Sequence, residues 1–148
     1  MNISYDDFTS VFLDKVTEYT IVGMVDDFRT EIVDGYMKRA IAQFNKVCKY
    51  DLKSRNDDER KFNADIERED IDEIVDIVTE GMLVQWMKPY VYKQENLENS
   101  LNTADYSGYS PAELLHRIEE AYSVVKKDFT NRIRSYSYEK GDLTDLHI

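Results

Sequence analysis

Apolar side chains recur at intervals of three and four in four stretches of the chain, and each stretch predicts an amphipathic helix. The first runs from Tyr5 to Val16, with Phe8, Phe12 and Val16 four apart and Val11 beside them. Ser4 stands before it as an N-cap, and Asp6 and Asp7 suit the positive end of the helix dipole. The run Tyr19-Thr20-Ile21-Val22-Gly23, β-branched at its centre, breaks the period and reads as a connection. The second helix spans about Asp26 to Cys48, where Phe28, Ile32, Val33, Tyr36, Met37, Ala40, Ile41, Phe44 and Val47 form one broad stripe. Gly35 inside it costs about 1 kcal/mol relative to Ala. It marks either a close approach by a neighbouring helix or a tolerated weakness.

A polar stretch, Asp51 to Glu69, separates this helix from the third, which runs from near Asp70 to about Lys88 and is stopped by Pro89. Ile71, Ile74, Val75, Val78, Met82 and Trp86 give its stripe, and Ile77, Leu83 and Val84 widen it, as expected of a central helix covered on more than one side. Residues 90–109 form a long irregular connection anchored by Leu97 and Leu101, with a turn at Tyr106-Ser107-Gly108-Tyr109. Ser110, Pro111 and Glu113 then supply an N-cap, a first-turn proline and the acid of a capping box. The fourth helix carries Leu115, Ile118, Tyr122, Val125, Phe129 and Ile133 out to about Tyr136. The pattern therefore predicts an all-α protein: one small bundle of about four main helices over residues 1–136, and an extended tail over 137–148. Met37, Phe44, Trp86, Ile118 and Tyr122 are its expected core anchors.

Composition supports this picture. With 148 residues, five Gly and two Pro, the chain has material for one domain and little for a turn-rich sandwich or barrel. No apolar run is long enough for a transmembrane helix, and the acidic start MNISYDDF lacks the basic lead and apolar run of a signal peptide. A lone cysteine, Cys48, excludes an internal disulfide and a Cys-based zinc site. These features lead us to expect a protein made in a reducing compartment. The net charge of −11 argues against generic nucleic-acid binding, which needs excess Lys and Arg to displace counterions. Charge is also uneven. Residues 56–80 hold 11 acids and 3 bases, a net of −8, whereas residues 111–140 hold 6 bases and 5 acids, a net of +1.

Candidate chemistry is sparse. His116 and His147 are the only histidines and read as surface residues. Carboxylate neighbours such as Asp6-Asp7, Asp26-Asp27 and Glu119-Glu120 are unavoidable among 30 acids, and no acid stands where the pattern forces the burial that acid–base work requires. The run Asp65-x-Glu67-x-Glu69-Asp70 imitates a calcium loop but has Asp70 at the glycine position and Asp76 at the twelfth. Five glycines leave no phosphate-cradling loop, and Cys48, on the apolar side of the second helix, reads as a small buried thiol. The expected catalytic, cofactor and metal residues are therefore none. Eleven Tyr, six Phe and one Trp are many for a helical domain of this size. They serve either core packing with hydroxyls at the surface or protein contacts on several faces.

The order of several motifs resembles that of small neck proteins of tailed bacteriophages, the head–tail connectors (adaptor or head-completion proteins). The matching elements are Tyr36-Met37-Lys38-Arg39-Ala40-Ile41 with Phe44, Phe62-Asn63-Ala64-Asp65-Ile66, Glu69-Asp70-Ile71-Asp72-Glu73-Ile74, Gln85-Trp86-Met87-Lys88-Pro89, Glu95-Asn96-Leu97, Tyr109-Ser110-Pro111 and Arg132-Ile133-Arg134-Ser135-Tyr136-Ser137-Tyr138. They cover roughly residues 26–138. The resemblance implies a helical bundle assembled as a ring, usually a dodecamer, in the virion neck after synthesis in the host cytoplasm. Its partners would be the portal protein, a tail or stopper protein and other copies of itself, with DNA passing through unheld and no catalysis. On that reading Asp57, Asp58 and Glu59 are channel-facing candidates, because carboxylates repel passing phosphates. Leu143, Leu146 and Ile148 are portal-binding candidates on a tail that orders on docking, with a frayed terminus as the alternative. A second class is an acidic regulatory protein, such as a DNA mimic or an inhibitor of a basic host protein. A third, an enzyme using a buried carboxylate, has the least support.

Overall fold

The computed structural model describes residues 1–19, 28–92 and 111–140. Among them four helices, α1 (Tyr5–Val16), α2 (Thr30–Phe44), α3 (Arg68–Tyr92) and α4 (Pro111–Lys140), pack around one apolar core. The described residues are all-α apart from a two-strand antiparallel hairpin, β1 (Arg55–Asn56) and β2 (Lys61–Phe62), paired Arg55 with Phe62 and Asn56 with Lys61. α3 is the central helix, packed most extensively against α4 and α2 and also against α1. Its buried residues run without a gap from Ile77 to Met87, the outcome expected of its wide apolar face.

Local chemistry explains where the elements begin and end. Ser4 caps α1, its backbone N–H donating to Asp7 Oδ2 at 2.8 Å. The residues before it lie along β2, with Phe62 N–H donating to Ile3 C=O and Tyr5 N–H to Arg60 C=O, both at 2.9 Å. This seats Tyr5 and Phe8 against Phe62, with ring centroids 5.1 and 5.3 Å apart. The pairing spans some sixty residues of sequence, so no local period announced it.

Three helices differ in their bounds from the sequence expectation. α2 begins at Thr30 and ends at Phe44, not Asp26 and Cys48. Asn45 ends it, its Oδ1 accepting the Leu52 N–H at 2.8 Å, a side-chain bond that diverts the backbone from the helix. Cys48 consequently lies in the turn after α2 and is only half-buried. α3 runs through Pro89 to Tyr92. A proline this near the end disturbs only the last turn. Tyr90 and Val91 pack against the core, and Tyr92 meets Tyr122 edge-on at 6.1 Å, holding that turn in place. α4 continues four residues past Tyr136, to Lys140, so Ser137–Lys140 belong to the helix and not to a tail.

The two helical glycines also separate. A Cβ at Gly35 would meet nothing within 4 Å, so no neighbour approaches it closely. A Cβ at Gly81 would lie 2.7 Å from Ala40 Cβ and 2.7 Å from the Phe129 ring. The close approach is therefore at Gly81, where α2, α3 and α4 converge.

Candidate interaction surfaces

Met37, Phe44, Trp86, Ile118 and Tyr122 all lie in the single buried cluster. Trp86 packs edge-on to Phe12 at 6.4 Å and tilted against Phe28 at 6.2 Å. Its Nε1 is the only buried side-chain nitrogen or oxygen among the described residues without a hydrogen-bond partner. Tyrosine burial mostly follows the core reading, with hydroxyls anchored at the edge. Tyr5 donates to Asp57, Tyr50 donates to Asp70 Oδ2 at 2.6 Å, and Tyr136 accepts the Lys49 N–H at 3.0 Å. Burial raises the Tyr5 and Tyr122 phenols to about 12. Tyr92 and Tyr138, 64% and 53% exposed, remain available for contacts.

The acidic residues Asp57, Asp58 and Glu59 form the exposed turn of the hairpin. They are not equivalent. Asp57 accepts from Tyr5 and pairs with Lys38 Nζ at 3.1 Å and Arg55 Nε at 3.7 Å. Those partners, the Tyr5 hydroxyl first, hold its carboxyl below the usual range. Asp58 and Glu59 donate their backbone N–H groups to Asn56 Oδ1 at 3.0 and 3.1 Å, and their exposed carboxylates have no partner among the described residues.

Arg60 closes the turn with a positive φ of 54°. Its guanidinium grips Asp34 through two bonds of 2.9 Å, reaches Asp6 at 2.7 Å and lies over the Tyr5 ring. One side chain thus ties the hairpin to α1 and α2. Asp34 is 8% exposed, so the pair is largely desolvated. The sequence reading did not single out Arg60, since nothing in a polar run distinguishes one arginine from its neighbours.

A second charged cluster joins three helices. Lys15 of α1 lies 3.1 Å from Glu80 Oε1 and 3.4 Å from Asp76 Oδ1 of α3. Arg132 of α4 lies 3.7 Å from Asp76 and 2.8 Å from Asp128. Glu80 is buried, and desolvation pushes its carboxyl above the ordinary value against the pull of Lys15. Asp34, Asp70 and Glu80 correct the expectation that no carboxylate is buried; each is buried and paired. For Glu80 the signal existed, because it sits between Thr79 and Gly81 on a helix already expected to be covered on several sides.

The flank of α4 turned away from Asp128 and Arg132 is basic. Ser123, Lys126, Lys127, Thr130, Asn131 and Arg134, with the edge of Tyr122, line an open groove of about 510 Å³. A smaller hollow of about 170 Å³ continues toward α3, lined in part by Lys88, Tyr92 and Lys126. None of these four cations has a carboxylate partner among the described residues.

The remaining candidates carry no chemistry. His116 is exposed and pairs with Glu120 at 3.0 Å. Burial raises the Cys48 thiol, which lies 3.8 Å from the Tyr136 hydroxyl. The run Asp65–Asp70 straddles the start of α3, and no group of acids, His or Cys among the described residues is arranged to hold a metal. Leu97, Leu101, Tyr106, Tyr109, His147 and the portal-binding candidates Leu143, Leu146 and Ile148 lie outside the described residues. Comparison with known proteins finds no match, whether to protein families, curated sequences or solved structures.

Proposed function

We propose that this chain is a structural subunit of a tailed-phage virion, a head–tail connector that joins the portal to the tail and forms part of the DNA channel. The observation that supports the reading most is the acidic hairpin tip. Asp58 and Glu59 stand on a turn that Arg60 clamps to two helices, so the exposed carboxylates are carried at a fixed place on the fold. Unpaired carboxylates on an anchored turn suit the rim of a passage for duplex DNA, because they repel phosphates and leave the duplex free to move. The motif order over residues 26–138 points the same way. In this reading the subunit catalyses nothing, acts as a ring in the neck, and binds the portal through residues beyond α4.

Because α4 extends to Lys140, the tail to remove is residues 141–148. Its deletion should abolish docking on the portal while leaving helical content and melting temperature nearly unchanged. A truncated chain that docks with full affinity would remove the tail from the docking role. Capture of a nuclease or another basic host protein, with no capture of portal or tail protein, would favour an acidic inhibitor instead.

A further inference from the structure

We propose that the basic flank of α4 is a docking face for a second copy of this chain, and that it receives the acidic surface of α1 and α3. The inference rests on the connector reading and assigns the subunit contact within it. The flank carries Lys126, Lys127 and Arg134 along about 12 Å of helix, at a rise of ~1.5 Å per residue. In a chain of net charge −11, three neighbouring cations without carboxylate partners are an unused resource. The complementary surface lies on the other side of the bundle. Asp14 lies beside Lys15 on α1, Glu18 lies in the turn just after that helix, and Asp72 lies one turn before Asp76 on α3. All three are exposed and have no ion pair or hydrogen-bonded side-chain partner among the described residues.

Placement decides the kind of contact. On α4 the basic groove and the Asp128–Arg132 pair occupy opposite flanks, and Arg132 leads to the acidic surface through Asp76. Opposite charges on opposite sides make a self-complementary two-fold contact unfavourable and a head-to-tail contact favourable, the arrangement that closes into rings. Exposed Tyr92 and Val124, each 64% exposed, border the basic flank and supply the apolar area that surface ion pairs alone lack. Duplex DNA fits this face less well. Four cations, Lys88 included, would give a log–log salt slope of only about −3 to −4, against about −10 for a strong DNA binder.

The test is a charge swap read by light scattering after size exclusion. The wild-type chain should run as an assembly at low salt and move toward the single-chain mass as salt rises. K126E/K127E/R134E and D14K/E18K/D72K should each run as folded monomers, with helical content unchanged by circular dichroism. Mixed in equal amounts they should recover the assembly, because each reversed face then meets an opposite one. A flank variant that keeps the wild-type mass would overturn the proposal. So would a wild-type chain that stays monomeric at its highest soluble concentration, and portal docking would then decide the connector reading separately. Unchanged mass with lost binding to a short duplex would assign the flank to nucleic acid instead.

Discussion

At the scale of single residues, Asp57 and Glu80 titrate in opposite senses. Asp57 is held below its unfolded value, so its contribution is present above about pH 4 and is lost as pH falls through the lowered folded value. Tyr5→Phe removes the hydroxyl that donates to it and should flatten the acid limb of a stability–pH curve measured by urea denaturation. Glu80 is raised, so the folded state holds its proton more tightly. Its contribution is complete below the ordinary carboxyl range and fades as pH rises through the elevated folded value. Glu80→Gln keeps a hydrogen-bonding group beside Lys15 without the buried charge, and should reduce the loss of stability between mildly acidic and neutral pH. An unchanged neutral limb would show that Lys15 already compensates the burial. Arg60→Ala should cost roughly 2–3 kcal/mol, less than a fully buried pair because the guanidinium is 28% exposed, yet more than a surface pair because Asp34 is left desolvated. Trp86→Ala should cost about 3–5 kcal/mol, and Trp86→Phe only about 1–2, since Phe keeps one ring and discards an indole N–H that finds no partner.

At the scale of elements, the two helical glycines give opposite expectations. Gly35→Ala enters open space and should stabilise by about 0.5–1 kcal/mol through helix propensity. Gly81→Ala would drive a methyl group into Ala40 and Phe129 and should cost about 1–3 kcal/mol. Thermal melts of the two variants should move in opposite directions. The same pair shows what was legible in the sequence. Periodicity identifies α1, the centre of α2, the broad burial of α3 and the Pro111 start of α4, because burial on one face leaves a repeat of three and four. It says nothing of which glycine faces a neighbour, because that depends on how three helices cross. The Pro89 stop failed because packing of Tyr90, Val91 and Tyr92 outweighs a local breaker one turn from the end. The hairpin's two-residue strands are too short to leave an alternating pattern, and its clamp by Arg60 and its pairing with Ile3–Tyr5 were hidden because their partners are distant in sequence. The acidic candidates were visible as a charge run, but only contacts separate Asp57, which holds the fold, from Asp58 and Glu59, which do not.

At the scale of the molecule, that separation changes how the channel role is tested. Reversing Asp57 would set a cation against Lys38 and Arg55 and disturb the hairpin. D58K/E59K leaves the clamp intact and should impair DNA exit from assembled particles while the isolated chain melts normally. Wild-type ejection by that variant would remove the hairpin tip from the channel. On the proposed contact, the basic flank of one copy would meet the acidic surface of the next, and the portal would set the plane in which the copies meet. The most direct measurement is negative-stain imaging of the chain mixed with the portal protein of the proposed virion. A ring of the chain stacked coaxially on the portal is the expected result. Bare portals beside unassembled chain, at concentrations where both proteins are folded, would contradict the connector function.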